Sequence, residues 1–174
     1  HKALDDTDQT LDIRKIKIGT TAADGQDGDK TIVNEENVVI KDVVAYENLT
    51  PGKEHKVTGI LMDKETNEPL LVDGEQVTGE TVFIPEAADG SAEVEFVFDA
   101  IGLHGKKLVV FETLLDADGK ILAEHKEIEN EGQTVEVWEL KIGTTAIDKE
   151  DEDKIIVTDE NITIKDTVSY ENVI

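Results

Sequence analysis

The sequence predicts an all-β protein, a sandwich of short strands with no helix between them. Three observations carry this. Apolar and polar residues alternate over segments of roughly four to ten residues, the two-residue period of a strand with one buried face. Turn signals separate these segments: TPGK at 50–53, VDGE at 72–75, ADGS at 88–91 and ADGK at 117–120. No stretch sustains a helical period. The candidate strands are, in order, 15–22, 30–34, 37–46, 55–62, 69–72, 76–84, 91–98, 106–115, 120–126 and 133–139. Many short strands with regular turns make a sandwich or a barrel, and an Ig-like β-sandwich is the expected form.

Composition narrows the function. Acidic residues outnumber basic ones 41 to 17, for a net charge of -24. Such a surface repels phosphate and argues against nucleic acid as a partner. Cysteine is absent, which removes disulfides, zinc–thiolate sites and a Cys nucleophile. No run reaches the ~18 apolar residues of a membrane span. No signal peptide or sorting signal is present; in an exported protein those segments would lie outside this stretch.

The chain repeats itself. Residues 1–50 align with 125–174 without a gap at an offset of 124, and 25 of those 50 positions are identical. Shared words include KIGTTA at 17–22 and 141–146, and DxVxYEN ending at Asn48 and Asn172. A period this long is a tandem array of whole domains. The frame is then 1–13 as the last strand of a preceding copy, 14–138 as a complete domain, and 139–174 as the first strands of a following copy. Neither junction has a Pro- or Gly-rich linker, so TLDIRKIKIG and TVEVWELKIG read as strands running into the next domain, stacked end to end. The broken copies have too few strands to bury a core alone. Their expected partners are adjacent repeats or neighbouring chains, and Thr20 is expected to meet Gln133 and not Gln9.

Five polar residues lie on apolar strand faces. Asp42 shares a face with Val38, Ile40, Val44 and Tyr46. Glu112 is the only charge in LVVFETLL and shares a face with Leu108, Val110 and Leu114. His125 goes with Ile121 and Ala123, Gln133 with Val135 and Val137, and Thr20 with Ile16 and Ile18. Alone, a strand Thr, a strand-start Gln or a core His is ordinarily structural. Burying an unpaired carboxylate costs several kcal/mol, and two adjacent carboxyls meet that difficulty by sharing a proton. Together the five supply a hydroxyl nucleophile, an imidazole base, an acid pair and a carboxamide electrophile, the parts of an acyl transfer. Thr20 would attack the side-chain carbonyl of Gln133 and leave an ester, with ammonia released.

The words IGTTA at 18–22, IKDVVAYENLTPGK at 40–53, VTGILMDKETNEPLLVDG at 57–74, VVFETL at 109–114 and HKEIENEGQTV at 125–135 resemble the Thr–Gln ester-bond domains, or VaFE repeats, of Gram-positive surface adhesins. The resemblance covers the complete repeat and both fragments. It implies an Ig-like fold, an extracellular, cell-wall-anchored stalk, and an ester between a first-strand Thr and a last-strand Gln. Carried over by motif, the nucleophile falls in the pair Thr20–Thr21, with alternation favouring Thr20. The electrophile is Gln133, the base His125, and the acids Asp42 and Glu112. The family often has an Asp three residues before the Gln to orient the His. The preceding fragment has Asp6 there, but the complete repeat has Asn130. Asn130 would have to accept a hydrogen bond from the imidazole, or Glu129 or Glu131 would have to substitute.

This reading calls for no cofactor and no metal, and for a single self-directed reaction in place of enzymatic turnover. The host ligand is left open. The alternative is a calcium-dependent extracellular binding module, resting on Asp24, Asp27 and Asp29 with their echoes Asp148, Asp151 and Asp153. That spacing lacks the ligating Glu of an EF-hand. A turnover hydrolase would need a nucleophile elbow or a Gly-rich oxyanion loop, and neither is present. No strand-centred Lys shares an apolar face with a candidate Asn, as an isopeptide would require.

Overall fold

The structure, a computed structural model, describes residues 13–156 and 162–172. His1, Asp6 and Gln9, which carry the preceding copy's motif, lie outside the described residues. The strands are β1 (Lys17–Asp24), β2 (Thr31–Val33), β3 (Val38–Glu47), β4 (His55–Asp63), β5 (Glu68–Pro69), β6 (Leu71–Val72), β7 (Glu75–Gln76), β8 (Thr78–Phe83), β9 (Gly90–Phe98), β10 (Lys107–Asp116), β11 (Ile121–His125), β12 (Thr134–Trp138), β13 (Lys141–Asp148) and β14 (Ile164–Glu171). A 3-10 turn, Glu131–Gln133, precedes β12. Among the described residues there is no α-helix.

Two sheets form the Ig-like sandwich. One has the order β1-β3-β9, and the other runs β2-β12-β10-β4-β5 with β8 also on β4 and β11 also on β10. Alternation sets the core. On β3, Val38, Ile40, Asp42, Val44 and Tyr46 are all buried while Val43 and Ala45 face outward. Opposite them, on the other sheet, lie Leu61, Leu108, Val110 and Leu114, and Phe96 flanks Ile40 on β9 of the same sheet as β3, each fully enclosed.

Two details of the large sheet position everything that follows. First, β11 and β12 pair with the same edge of β10, one after the other. Glu112 faces His125 and Leu114 faces Ala123, whereas Leu108 faces Val135 and Val109 faces Thr134. The segment between them, with its 3-10 turn, spans a gap in that edge. Second, β1, the outer strand of the small sheet, packs along this seam against β11, the turn and β12.

The long strands fall close to the sequence expectation, but the 69–84 region differs. It divides into β5 to β8, because Leu70 and Val77 turn inward and complete a backbone network with Leu61. Between them Asp73 and Gly74 take positive φ angles of 53° and 85°, the two-residue turn that a tight hairpin prefers. The last expected strand also differs. Gln133 is in the turn, not in β12, because Asn130 caps that turn by accepting a hydrogen bond from the Gly132 N–H.

The second hairpin, β13 with β14, repeats the first in register. Thr20 pairs with Val44 and Ala22 with Asp42; Thr144 pairs with Val168 and Ala146 with Asp166. Even the bracing bonds recur, Asn48 Nδ2 donating to Lys15 O at 2.9 Å and Asn172 Nδ2 to Glu139 O at 2.7 Å. Here, however, the face equivalent to a core is open, with Ile142, Ile164, Val168 and Tyr170 exposed.

Candidate functional site

The five sequence candidates converge at the seam. Thr20 is buried on the inner face of β1, while Thr21 points outward and is exposed. Asp42 sits on the same inner face, diagonal to Thr20 across the β1–β3 pair, a spacing at which side chains can meet. Glu112 approaches from the other sheet, with His125 directly opposite on β11. Gln133, fully buried, comes in on the 3-10 turn that packs against β1. Gly132 lies beside the Thr20 backbone: a Cβ on Gly132 would stand 3.7 Å from Thr20 O.

Satisfaction of polar atoms singles this cluster out. Thr20 Oγ1, both carboxyl oxygens of Asp42 and of Glu112, and Oε1 and Nε2 of Gln133 are buried without a partner in well-formed hydrogen-bond geometry. Among the described residues only Asn34 Oδ1 joins them. Each such orphan costs roughly 1–3 kcal/mol, so a cluster of them marks a place where folding stability has given way to something else.

Room for the Glu112 carboxyl comes from Gly59, its cross-strand partner on β4. A Cβ there would sit 2.5 Å from Glu112 Oε1 and would also strike the Phe96 ring. Burial raises the pKa of both acids. Glu112 is pushed up to about 9, by loss of solvent first and then by the neighbouring Asp42 charge. Asp42 rises less, to about 6, because burial is opposed by the Glu112 proton, the Lys30 ammonium and His125. Near neutral pH the pair shares one proton, and a hydrogen bond between the carboxyls needs at least that one.

This gives a pH expectation for an uncross-linked protein such as Thr20→Ala. Folded Glu112 binds its proton more tightly than the unfolded side chain, so its contribution to stability is complete below the unfolded pKa of ~4.5. That contribution is lost progressively as pH rises towards about 9. Thermal melts of Thr20→Ala against Thr20→Ala/Glu112→Gln should show this slope between about pH 6 and 9 in the first protein only, since at lower pH Asp42 adds its own dependence to both. A parallel pH dependence in both would mean that Glu112 is ionised in the fold.

Sequence reading missed Lys30. Its Nζ donates to Ala22 O on β1 and, at 2.7 Å, to Gly132 O, so it ties the strand bearing Thr20 to the turn bearing Gln133. Its only sequence signal is the echo at Lys154, one repeat away.

The expectation for Asn130 is corrected. Asn130 does not accept from the imidazole. Its Oδ1 is taken by the Gly132 N–H at 2.8 Å, which turns its Nδ2 towards His125 Nε2, also at 2.8 Å. Glu129 and Glu131 do not substitute either. They pair with Lys64 at 3.2 and 3.8 Å, with side chains 84% and 92% exposed.

In the Asp-rich loop, Asp24, Asp27 and Asp29 accept hydrogen bonds from the N–H groups of Gln26, Asp29 and Thr31. Among the described residues no group of three or more His, Cys, Asp or Glu side chains is placed to hold a metal ion. Nor is any helix among them long and apolar enough to cross a membrane.

Among the described residues, the one cluster of unsatisfied buried polar groups contains a hydroxyl and a carboxamide, the two groups that an ester cross-link joins. A family model for the T-Q ester bond containing domain matches residues 16–137 and again 140–174. The chain belongs to the T-Q ester bond domain family. In fold it is similar to two crystal forms of a bacterial adhesin from Mobiluncus mulieris described as containing intramolecular disulfide, isopeptide and ester bond cross-links. The TM-scores are 0.61 and 0.59, each at 12% identity over 90% of this chain and 77% and 76% of the adhesin. None of the curated proteins compared with the chain matches it.

Proposed function

We propose that residues 14–138 form a structural shaft domain of a bacterial surface adhesin, stiffened by an ester that the domain makes once, between Thr20 and Gln133. The burial of an unpartnered hydroxyl and an unpartnered carboxamide at one seam carries this reading. Thr20 Oγ attacks Cδ of Gln133. The hydroxyl proton passes to His125, and the carbonyl oxygen takes up negative charge. The proton shared by Asp42 and Glu112 hydrogen-bonds that oxyanion. Collapse breaks the Cδ–Nε2 bond, His125 returns the proton to the departing nitrogen, and ammonia leaves. Holding both partners in a rigid sandwich supplies the effective molarity that a reaction of an amide with an alcohol needs. No turnover follows, because the product is the protein itself.

The adhesin of similar fold, described as ester cross-linked, supports placing the chain outside the cell on a bacterial surface. The repeat at offset 124 supports a stalk of several copies anchored to the cell wall, with neighbouring copies as partners.

The intact mass of the purified chain is the direct test. It should be one ammonia below the mass of the sequence, with a branched peptide joining Thr20 to Gln133. A mass equal to the sequence would overturn the proposal.

A further inference from the structure

The hydrogen bonds around His125 have a chemical consequence for this copy of the domain. Asn130 Nδ2 is a donor only, so the His125 Nε2 it faces at 2.8 Å must be an acceptor. The amide cannot be reversed without loss, because its oxygen is held by the Gly132 N–H at 2.8 Å. Asn130 is held further by its backbone carbonyl, which accepts from Thr134 Oγ1 at 2.7 Å. A neutral imidazole whose Nε2 accepts carries its proton on Nδ1. Its one basic lone pair is therefore engaged by Asn130, and its other nitrogen has a proton to give and none to take.

We propose that Asn130 is a positioning residue that throttles the cross-link by holding His125 in the tautomer that cannot act as a base. The proposal rests on the reading of His125 as the proton carrier. To take the Thr20 proton, the ring must first break its bond to Asn130 or move its proton from Nδ1 to Nε2. The first step leaves Asn130 Nδ2 without an acceptor, and the second sets it against an N–H.

An Asp at this position changes one thing. One carboxylate oxygen still accepts from the Gly132 N–H and keeps the 3-10 turn capped. The other now accepts a proton from Nε2, which leaves Nδ1 as the free lone pair. The same carboxylate also stabilises the imidazolium once the Thr20 proton arrives. Neither Glu129 nor Glu131 performs this service in the present chain, since both turn outward to Lys64. An Asp-to-Asn change beside a catalytic His elsewhere costs up to ~10⁴-fold through the wrong tautomer alone.

Two measurements test this. Long-range nitrogen–proton correlation spectra of the His125 ring are recorded in Thr20→Ala protein, which stays in the unlinked state, in mildly alkaline buffer, with His125→Gln identifying the ring signals. The proton is expected on Nδ1 with Asn130 and on Nε2 with Asn130→Asp. Separately, the rate of ammonia loss after refolding is followed by mass in the two Thr20 proteins, and Asn130→Asp should be faster by about 10²-fold or more. A proton on Nε2 in the Asn130 protein would overturn the proposal, whatever the rates. So would an Asn130→Asp chain that links no faster than its parent. If neither protein loses ammonia, the ester reading fails, while the spectra still decide which tautomer Asn130 holds.

Discussion

Thr20→Ala is expected to keep the mass of its sequence and to melt roughly 15–25 °C below the linked protein. Without the hydroxyl no atom at the seam can attack Gln133, so the loss of the bond should be complete. The stability change follows from chain entropy. Thr20 and Gln133 enclose a loop slightly longer than 100 residues, and closing such a loop removes about 5 kcal/mol of freedom from the unfolded chain. For a domain of this size each kcal/mol moves Tm by ~3–5 °C. Thr20→Ser should still link, since it keeps the hydroxyl. Thr21→Ala should link normally, because Thr21 faces solvent. Should Thr21→Ala abolish the ammonia loss instead, the nucleophile would be Thr21 and not Thr20. Calorimetry and intact mass on the four proteins separate these outcomes.

His125→Ala is expected to slow linkage by about 10²-fold in the present chain and by up to ~10⁴-fold in the Asn130→Asp background. The difference between backgrounds is the informative part. Residues that act as a unit do not contribute additively, and a base held in an unhelpful tautomer has less to lose. Linkage kinetics of the four proteins in this cycle measure the coupling. Equal factors in both backgrounds would show that Asn130 and His125 act independently. Undiminished linkage in His125→Ala would remove the imidazole from the reaction.

Strand alternation made much of this site legible in advance. Asp42 and Glu112 stand out because a period of two leaves no doubt which side chains share a face with Ile40 or Val110. The same argument separates Thr20 from Thr21. Gln133 was legible as a residue but not in its setting. The sequence pattern continues the alternation of β12 back to 133, whereas the Asn130 cap folds that end into a turn. What the sequence could not convey depends on contacts between distant segments. Nothing local says that Gly59 makes room for a carboxyl from β10, or that Lys30 reaches two carbonyls more than a hundred residues apart in the chain. The direction of the Asn130 amide is hidden for a different, local reason: the alternation reads 133–139 as strand, and the Gly132 N–H that orients the amide belongs to the turn formed there instead. Within 69–84 the turn at 72–75 was legible, whereas the breaks at Leu70 and Val77 were not, because both read equally well as strand residues.

The placement of β1 against the turn before β12 also determines how far the domain can lengthen under load. In a shaft domain of the kind proposed, tension would enter at the first strand and leave at the last. If the sandwich opened with the ends free, the segment between Thr20 and Gln133 would straighten and add about 400 Å to the contour. With those two side chains joined, the path of force crosses from β1 to the turn directly and bypasses that segment. Only the few residues outside the joint can extend. A stalk of such domains has an almost fixed length, and a bacterium held by one would stand off its target at a distance that flow does not change.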